Sequence, residues 1–380
     1  MIFGPLNVLL YLVTTAISLS ILGGGIYFVW GWYEAVLVGI GYLVAGVVMI
    51  VLSFLGKYPV MYLLGRRRPN TRVAPMPDAT VHRIARPNGS ELNVEEFGPK
   101  AGPALILTHG LSFNSGVWRY LIPGLSTHYR VFAWDMPAFG KSSNGTGVPY
   151  TLEMLADDLH AVTQLAGAEQ VVLAGHSMGG MVTLTYCRQY REQLGARVAG
   201  LILAQTSYTN PVKTALLHRL LTAMQVPVLR PLCYLMIVLS PILWLANLQS
   251  YLSGMAHIGT HLTGYSGSET PEQLDFASRF SIISSPASTA RALLAMFRYD
   301  ALDILPTIPT PALVITGDHD IITLPSAGEV IHRSLPGSAR LEITSCGHLG
   351  LLEQSERYTE TIEGWVGACL AGAPVVLRSA

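Results

Sequence analysis

The chain has 380 residues, and its acidic and basic side chains balance to a formal net charge of zero. Half of the residues are hydrophobic and only 13% are charged, whereas about a quarter are charged in a typical soluble protein. This composition, with a mean hydropathy of +0.41, predicts a connection to a membrane. No basic block is long enough to indicate nucleic acid as a partner, and the length suffices for one large domain and an accessory segment.

Four cysteines are spread along the chain, at Cys187, Cys233, Cys346 and Cys369. Their spacing matches neither a CxxC motif nor a metal-binding pattern, and a disulfide framework is not expected in so long and cysteine-poor a chain. We therefore predict isolated buried thiols, and the sequence indicates no metal and no cofactor.

Two long uncharged segments, at residues 6–29 and 35–55, begin the chain. Each is long enough to cross the hydrocarbon core of a bilayer, which requires about 20 apolar residues. The short connection carries aromatic side chains typical of a membrane interface, Trp30, Trp32 and Tyr33. We predict a transmembrane helical hairpin over residues 1–65. A secretory signal peptide is the competing interpretation, but the apolar stretch is doubled and no Lys or Arg precedes it.

Basic side chains follow the second segment and none precedes the first; they are Lys57, Arg66, Arg67, Arg68 and Arg72. By the positive-inside rule, the N-terminus and the remainder of the chain are expected in the cytoplasm. A hairpin keeps both of its ends on one side of the membrane, so the predicted positions of the N-terminus and of the remainder of the chain agree. Residues 66–79 contain several prolines and are predicted to be a linker.

From residue 80 onward, short apolar strands alternate with helices. The predicted strands are 80–86, 91–97, 104–108, 130–134, 171–174, 198–205, 312–316 and 339–344. The predicted helices are 117–126, 151–166, 178–190, 324–334 and 353–369. The first two strands are joined by Pro87-Asn88-Gly89, a hairpin turn signal. This alternation predicts an α/β fold with a mostly parallel sheet that helices cover on both faces.

The segment 207–297 interrupts this alternation, because it contains no clear strand. A loop of that length must have structure of its own, and we predict a mostly helical cap over the functional site. Its apolar run at residues 231–252 has three explanations: packing under the cap, the lining of an acyl-chain pocket, or a surface that dips into the membrane. A third transmembrane span is not expected, since Pro241 lies within the run and the span would divide one sheet between two sides of the bilayer.

The segment around Ser177 predicts a nucleophile. Residues 171–174 form a short apolar strand, and a glycine-flanked turn at residues 175–179 leads from it into a helix. This is the strand–turn–helix context of the Gly-x-Ser-x-Gly elbow, whose glycines have no side chain to collide at so sharp a turn. In a chain with 37 glycines the motif alone could arise by chance, so the argument needs the residues around it.

A serine hydroxyl needs a base that takes its proton and a carboxylate that orients the base. Asp318 and Asp320 follow the seventh predicted strand, and His348 follows the eighth. The carboxyl ends of parallel strands meet at one edge of a sheet, where ligands bind. Ser177, one of the two aspartates and His348 are therefore expected to converge, in the chain order Ser, Asp, His.

A tetrahedral intermediate also needs two hydrogen-bond donors for its oxyanion. The backbone N–H of Met178, directly after Ser177, is one candidate. The second is the N–H of Leu111, in the loop after the third strand, where Gly110 lets the backbone turn inward. His109 in the same loop is interpreted as a bracing residue, since His348 has the better position for a base.

Together these pieces resemble the α/β-hydrolase superfamily, and within it the capped esterases, lipases and C–C hydrolases, including enzymes similar to monoacylglycerol lipase. The resemblance covers about residues 80–370. It rests on the motifs His109-Gly110, Asp135-Met136-Pro137-Ala138-Phe139-Gly140-Lys141-Ser142, Gly175-His176-Ser177-Met178-Gly179-Gly180, Gly317-Asp318-His319-Asp320 and Gly347-His348. Ala138 departs from the family, whose members often have glycine there.

The resemblance implies an α/β-hydrolase fold over residues 80–380, with an eight-stranded, mostly parallel sheet and a helical cap. The site residues that it implies are the nucleophile Ser177, the acid Asp320, the base His348 and the oxyanion donors Leu111 and Met178. Asp320 is preferred to Asp318 because the family usually places its acid three residues after the glycine. The hydrophobic hairpin lies outside the resemblance.

The serine at the elbow excludes relatives that use an aspartate there, such as haloalkane dehalogenases and epoxide hydrolases. The leading prediction is a membrane-anchored serine hydrolase that cleaves a lipidic carboxylic ester, such as a monoacylglycerol, through an acyl-enzyme. Acyl transfer, thioester cleavage and C–C bond hydrolysis use the same triad and stay open. A hydrolase-fold protein that binds a ligand without turnover is the alternative of another class. The sequence leaves open the head group, the acyl length, the oligomeric state, and whether the cap contacts the membrane or opens.

Overall fold

The computed structural model describes residues 5–65, 75–145 and 149–371. Its centre is an eight-stranded sheet in the order β1-β2-β4-β3-β5-β6-β7-β8. The strands are β1 (Thr80–Ala85), β2 (Glu91–Phe97), β3 (Ala104–Thr108), β4 (Arg130–Trp134), β5 (Val171–His176), β6 (Val198–Ala204), β7 (Ala312–Gly317) and β8 (Ser338–Ile343). The pairs that β2 forms with β1 and β4 are antiparallel, and all other pairs are parallel. The predicted α/β architecture is confirmed.

Helices flank the sheet and extend beyond it. Those described are α1 (Pro5–Tyr33), α2 (Ile40–Leu55), α3 (Lys57–Leu64), α4 (Ile122–Leu125), α5 (Leu152–Ala166), α6 (Met178–Gln189), α7 (His218–Met224), α8 (Arg230–Val238), α9 (Ser240–Leu252), α10 (Met255–Gly264), α11 (Pro271–Ile283), α12 (Pro286–Met296), α13 (Pro325–Ser334), α14 (Gly350–Glu353) and α15 (Ser355–Leu370). Buried apolar side chains form two clusters, one including Leu155 of α5 and Met181 of α6, the other including Ile362 and Trp365 of α15. Strands β3, β5 and β7 are buried along their whole length, as expected for a sheet covered on both faces.

The predicted helix at residues 117–126 is wrong. This part of the chain has a 3-10 turn at Ser115–Trp118 and then only the four residues of α4. Pro123 and Gly124 do not support a longer helix, because proline lacks a backbone N–H and glycine costs conformational entropy.

Segment 207–297, called the cap below, connects β6 to β7 and contains α7 to α12. Helix α8 packs on α12, and its side chains Cys233 and Met236 are buried. Other apolar side chains of the cap are exposed, including Leu217, Leu220, Val226, Leu235, Val238, Ile242 and Leu245. No acidic residue occurs in the sequence from residue 207 to residue 268, so the exposed charges of this part of the cap are basic.

Helices α1 and α2 pack against each other as a hairpin. Their backbones approach closely near Gly46, where an added Cβ would lie 2.8 Å from the Gly25 carbonyl oxygen. Small residues at a helix contact permit this approach. The hairpin also touches the cap, since Gln249 of α9 donates a hydrogen bond of 3.0 Å from its side-chain amide to the Ser53 carbonyl oxygen.

One face of α1 is buried against α9 and α10 of the cap. The buried side chains on this face are Val8, Tyr11, Thr14, Thr15 and Ser18. Ser18 Oγ lies 2.8 Å from Ser253 Oγ of the cap. The hairpin and the cap therefore share a packed interface.

Two helical stretches among the described residues are long and apolar enough to cross a membrane, Leu10–Tyr33 in α1 and His218–Val238 in the cap. Helix α2 has only 16 residues, and it forms a third candidate only together with α3, with a bend of 70° between them. The predicted second span at residues 35–55 thus corresponds to one arm of a bent pair. The cap stretch was not expected as a candidate span.

The structure describes only one of the five basic residues on which the predicted orientation rests. Lys57 begins α3, and its Nζ lies 3.0 Å from the Tyr251 hydroxyl and 3.7 Å from the Asp275 carboxylate. The four arginines of that prediction, Arg66, Arg67, Arg68 and Arg72, lie outside the described residues, as does most of the predicted linker.

Candidate active site

Ser177 lies at the turn between β5 and α6, with φ 54° and ψ −119°. A positive φ strains a residue that has a Cβ, and such strain is found at functional turns. The glycines let the turn close: a Cβ on Gly175 would lie 2.4 Å from the Gly179 carbonyl oxygen, and a Cβ on Gly179 would lie 2.3 Å from the Thr108 carbonyl oxygen. The backbone thus presents the Ser177 hydroxyl at the N-terminus of α6.

The three predicted polar side chains form one hydrogen-bonded chain. His348 Nε2 lies 3.0 Å from Ser177 Oγ, and His348 Nδ1 lies 2.8 Å from Asp320 Oδ2. A carboxylate in this position accepts the Nδ1 proton and so leaves Nε2 free to accept the serine proton. Ser177 is 4% exposed and the other two side chains are more deeply buried, so the site is closed to solvent.

The loop after β7 holds the Asp320 carboxylate firmly. Its Oδ1 accepts hydrogen bonds from the backbone N–H groups of Ile322, at 2.8 Å, and Thr323, at 2.9 Å. The Thr323 hydroxyl lies 2.7 Å from Oδ2. One oxygen is therefore occupied by the backbone, and the other faces the imidazole.

Asp318 occupies a different position in the same loop. Its Oδ1 lies 2.7 Å from His319 Nδ1 and accepts a hydrogen bond of 3.0 Å from the Cys346 backbone N–H. Burial opposes ionisation here, but these hydrogen bonds hold the pKa of the Asp318 carboxyl below its usual range. Of the two aspartates that follow β7, the structure brings Asp320 to His348.

Leu111 and Met178 adjoin the nucleophile. Met178 is the next residue along the chain, and the loop before Leu111 is close in space, since a Cβ on Gly110 would lie 3.1 Å from the Ser177 Cβ. Among the described residues, no loop or helix-end carbonyl accepts a hydrogen bond from either backbone N–H. Both donors are available to an anion at the serine.

Two further buried histidines brace the site. The Met136 backbone N–H donates to His109 Nε2 at 2.9 Å, and His109 Nδ1 donates to the Gly110 carbonyl oxygen at 2.8 Å. Burial lowers the pKa of His109 to about 4. His176 Nε2 donates to the His348 carbonyl oxygen at 2.9 Å, and burial, followed by the proximity of His348, lowers the pKa of His176 well below its usual value. Both rings are neutral supports near pH 7.

Within the described residues, no group of three or more His, Cys, Asp or Glu side chains is placed to hold a metal ion. None of the four cysteines forms a disulfide. Cys187, Cys233 and Cys346 are buried, and Cys369 is half-buried.

Known proteins resemble this chain in sequence and in fold. A family model of the α/β-hydrolase fold matches residues 103–227. The chain is 24% identical to 3-oxoadipate enol-lactonase 1 of Acinetobacter baylyi over 294 residues, which cover 75% of this chain and 97% of that protein. It matches the solved structure of a thermophilic esterase from Thermogutta terrifontis with a TM-score of 0.62 and 27% identity, over 77% of this chain and 99% of that one. The chain has the α/β-hydrolase fold.

A shorter segment of the chain has a relative of higher identity. Over 103 residues the chain is 38% identical to the pimeloyl-(acyl-carrier protein) methyl ester esterase of Aeromonas hydrophila. The match spans 27% of this chain and 38% of that esterase. Esterases and other hydrolases thus recur among the relatives and the structural neighbours, which supports a carboxylic ester hydrolase.

A buried carboxylate connects the cap of this hydrolase to the loop that carries His348. Glu353 accepts hydrogen bonds from the backbone N–H groups and the hydroxyls of Ser266 and Ser268 in the cap. It also accepts one of 2.9 Å from the backbone N–H of Gly347. Because Gly347 directly precedes His348, one carboxylate positions both the cap and the imidazole.

The sequence analysis did not identify Thr323 or Glu353. Thr323 had a local signal, because a hydroxyl three residues after a candidate acid can bond to its carboxylate. Glu353 had none, since its cap partners lie 85 and 87 residues away in the chain. Only the tertiary fold brings them together.

Proposed function

We propose that this α/β-hydrolase is a membrane-anchored serine hydrolase that cleaves a lipidic carboxylic ester through an acyl-enzyme. The observation that carries the proposal is the hydrogen-bonded chain from Ser177 through His348 to Asp320, beneath a cap that packs on the N-terminal hairpin. The hydrogen-bonded chain accounts for the cleavage of an ester. The packing of the cap on the hairpin accounts for a substrate that comes from the membrane.

In this mechanism Ser177 Oγ attacks the ester carbonyl carbon while His348 Nε2 accepts the hydroxyl proton. The Asp320 carboxylate stabilises the imidazolium, and the N–H groups of Leu111 and Met178 donate to the oxyanion of the tetrahedral intermediate. Collapse of the intermediate breaks the bond to the alcohol, which leaves with the proton from His348. Water then attacks the acyl-enzyme by the same steps and releases the fatty acid and free serine.

The polarity of α1 supports a membrane anchor. Its face toward the cap has the hydroxyl side chains of Thr14, Thr15 and Ser18, whereas its outward face has aliphatic side chains such as Val13 and Ile17, which are 54% and 43% exposed. A helix on the surface of a soluble protein has the opposite arrangement. In a bilayer, small and polar side chains gather at helix contacts while aliphatic ones face the lipid.

We place the cap at the membrane surface and not across it. The stretch His218–Val238 contains Arg219 and Arg230, and a charged side chain at the bilayer centre costs at least about 2.5 kcal/mol. The strands β6 and β7, which precede and follow the cap, are neighbours in one sheet, so both ends of the cap lie on one side. Exposed apolar side chains beside basic ones are typical of an interfacial helix.

The proposal divides the chain into a membrane hairpin at residues 1–65, a linker at 66–79 and a catalytic domain at 80–380, with the cap inserted at 207–297. Positive charge after the hairpin favours a cytoplasmic catalytic domain. An enzyme held at the bilayer by its own cap and hairpin meets substrates that partition into the lipid, and a fatty-acyl ester is such a substrate.

The full-length protein is expected to remain in the membrane fraction after an alkaline carbonate wash and to require detergent for release. The physical reason is that burial of a spanning helix in hydrocarbon does not depend on charge pairing, so neither high pH nor salt reverses it. In sealed inside-out vesicles we expect added protease to digest the catalytic domain. Release by carbonate would contradict the anchor, and protection in inside-out vesicles would contradict the orientation.

Detergent-purified protein is expected to hydrolyse p-nitrophenyl esters with a kcat/KM that rises at least about tenfold from acetate to octanoate. Each buried methylene group contributes up to about 0.8 kcal/mol, so even partial burial of six more methylene groups gives this increase. Initial rates at one fixed detergent concentration measure it, with the no-enzyme rate of each ester as the control. Turnover confined to acetate and butyrate would contradict a lipidic substrate, and the hairpin would then be an anchor alone.

A further inference from the structure

The buried face of α1 is part of one of the two apolar cores of the protein. Val8 and Tyr11 belong to the same cluster of contacting buried apolar side chains as Leu111 and Met178, the two proposed oxyanion donors. Their exposed fractions are 1% for Val8 and 5% for Tyr11. The first turns of the proposed anchor helix therefore belong to the same apolar core as the residues beside Ser177.

A small cavity lies between α1, the cap and the loop after β3. It has a volume of about 20 Å³, which is room for about one water molecule. Its polar lining residues are Tyr11, Ser112, Asn247, Ser281, Ser284 and Thr289. Ser112 directly follows Leu111, so the loop that contains one proposed oxyanion donor also lines the cavity.

The cavity is hydroxyl-rich and uncharged. None of its described lining residues is Asp, Glu, Lys, Arg or His. Several of the hydroxyls bond within the wall, as when Ser112 Oγ lies 2.9 Å from Thr289 Oγ1 and the Ser284 hydroxyl donates to the Ser112 carbonyl oxygen at 2.7 Å. Such a wall suits a neutral polar group, because a charge would lose its hydration without gaining a counterion.

Two polar groups of the lining have capacity to spare. Asn247 is 7% exposed, and its Oδ1 has no hydrogen-bond partner among the described residues, while its Nδ2 donates to the Ser281 carbonyl oxygen at 2.9 Å. The Tyr11 hydroxyl has a long contact of 3.4 Å to the Leu243 carbonyl oxygen. A buried acceptor without a donor costs free energy, which a ligand hydroxyl would recover.

The level of the cavity along α1 matches that of lipid head groups. Tyr11 lies at the start of the candidate span Leu10–Tyr33, and the ends of a span lie at the membrane interface, where tyrosine is enriched. A lipid whose head group reached Tyr11 could leave its acyl chain in the hydrocarbon until α1 and the cap part.

On the basis of the proposed function, we propose that this cavity receives the alcohol portion of the ester, and that this alcohol is uncharged and carries a free hydroxyl. The substrate hydroxyl donates to Asn247 Oδ1 and accepts from the Tyr11 hydroxyl. The cavity widens for it when α1 shifts from the cap. Tyr11 of the membrane helix and Asn247 of the cap are then specificity-determining residues, and charged head groups are rejected.

The test compares two esters that share an acyl chain, 1-octanoylglycerol and methyl octanoate, with the detergent-purified full-length protein. Tyr11→Phe and Asn247→Leu are each expected to lower kcat/KM for the glycerol ester about three- to tenfold, which is the effect of one lost hydrogen bond. The value for the methyl ester, which has no hydroxyl, is expected to change less than twofold. Tyr27→Phe is the matched control, because Tyr27 lies on the same helix and is 59% exposed.

An equal loss on both esters would mean that Tyr11 and Asn247 only support the fold, and would overturn the assignment. Unchanged turnover of the glycerol ester in both variants would overturn it as well, as would a wild-type preference for octanoylcholine over 1-octanoylglycerol. Tyr11→Phe removes a single oxygen and keeps the packing of the ring, so this variant decides the matter if Asn247→Leu does not fold.

A binding measurement separates this proposal from the proposed function. The ether 1-O-octylglycerol is expected to slow the labelling of Ser177 by a fluorophosphonate probe, and Tyr11→Phe to require about three- to tenfold more of the ether for equal protection. Labelling without turnover of any ester would contradict ester hydrolysis but leave the cavity assignment standing. Absence of protection by the ether would contradict the cavity assignment, whatever the protein hydrolyses.

Discussion

Ser177→Ala is expected to lower kcat for p-nitrophenyl octanoate at least about 10⁴-fold. Without the hydroxyl no acyl-enzyme forms, and what remains is catalysis by binding and by the oxyanion donors, as in other serine hydrolases that lose their nucleophile. Alanine keeps the small volume and the Cβ of serine at the strained turn, so the melting temperature should shift little. The measurement is kcat by single-substrate kinetics, together with labelling by a fluorophosphonate probe, which we expect to disappear.

The matched control for this change is Ser334→Ala, at the last residue of α13, which lies outside the proposed machinery. We expect it to retain kcat within about twofold and to label normally. If Ser177→Ala retained most of the wild-type activity, the hydrolysis would belong to another residue or another protein. If the variant lost labelling but bound 1-O-octylglycerol unchanged, the site would be intact and only its chemistry removed.

Asp320→Asn is expected to lower kcat about 10³- to 10⁴-fold. The structure gives a specific reason, because Oδ1 of Asp320 accepts the backbone N–H groups of Ile322 and Thr323. In the asparagine variant the carbonyl oxygen must stay there, which places the NH₂ group against His348 Nδ1. The imidazole then carries its proton on Nε2, where it faces Ser177 as a donor and cannot act as a base.

Asp318→Asn is the matched control for that variant. Asp318 interacts with His319 and with the Cys346 backbone, whereas Asp320 is the carboxylate 2.8 Å from His348 Nδ1, so we expect kcat to fall less than about threefold. The pair of variants tests the assignment directly, since both residues lie in one loop and undergo the same chemical change. A larger loss in Asp318→Asn than in Asp320→Asn would reverse the assignment of the acid.

The sequence predicts the sheet and the meeting of Ser177, Asp320 and His348 for a simple physical reason. A buried parallel strand is a short continuous apolar run, and the residue that follows each run lies at the same edge of the sheet. The strand pattern alone does not show whether Asp318 or Asp320 is the acid of the triad, because both residues follow β7. The resemblance to capped hydrolases favoured Asp320, and the local turn that captures its Oδ1 explains why this side chain reaches the imidazole.

Contacts between distant segments could not be predicted. The hydroxyl of Tyr11 approaches a carbonyl 232 residues away in the chain, and Ser18 meets Ser253. The sequence analysis treated α1 as a uniform apolar span, although Tyr11, Thr14, Thr15 and Ser18 recur at helical spacing on the face that lies against the cap. The candidate span at His218–Val238 was not predicted, because the sequence analysis followed the apolar composition, which runs over residues 231–252. In the structure the helical run ends at Val238, before Pro241.

The packing of α1 on the cap has a consequence for how the enzyme can be produced and how it can diverge. Removing the hairpin, the usual route to a soluble fragment of an anchored enzyme, would uncover the cap surface that Thr14 and Ser18 now cover and would remove Tyr11 from the apolar core. Exchanging the hairpin for that of another protein would do the same. The hairpin and the cap must therefore change together in evolution, and a form without the hairpin would be a different enzyme from the full-length protein.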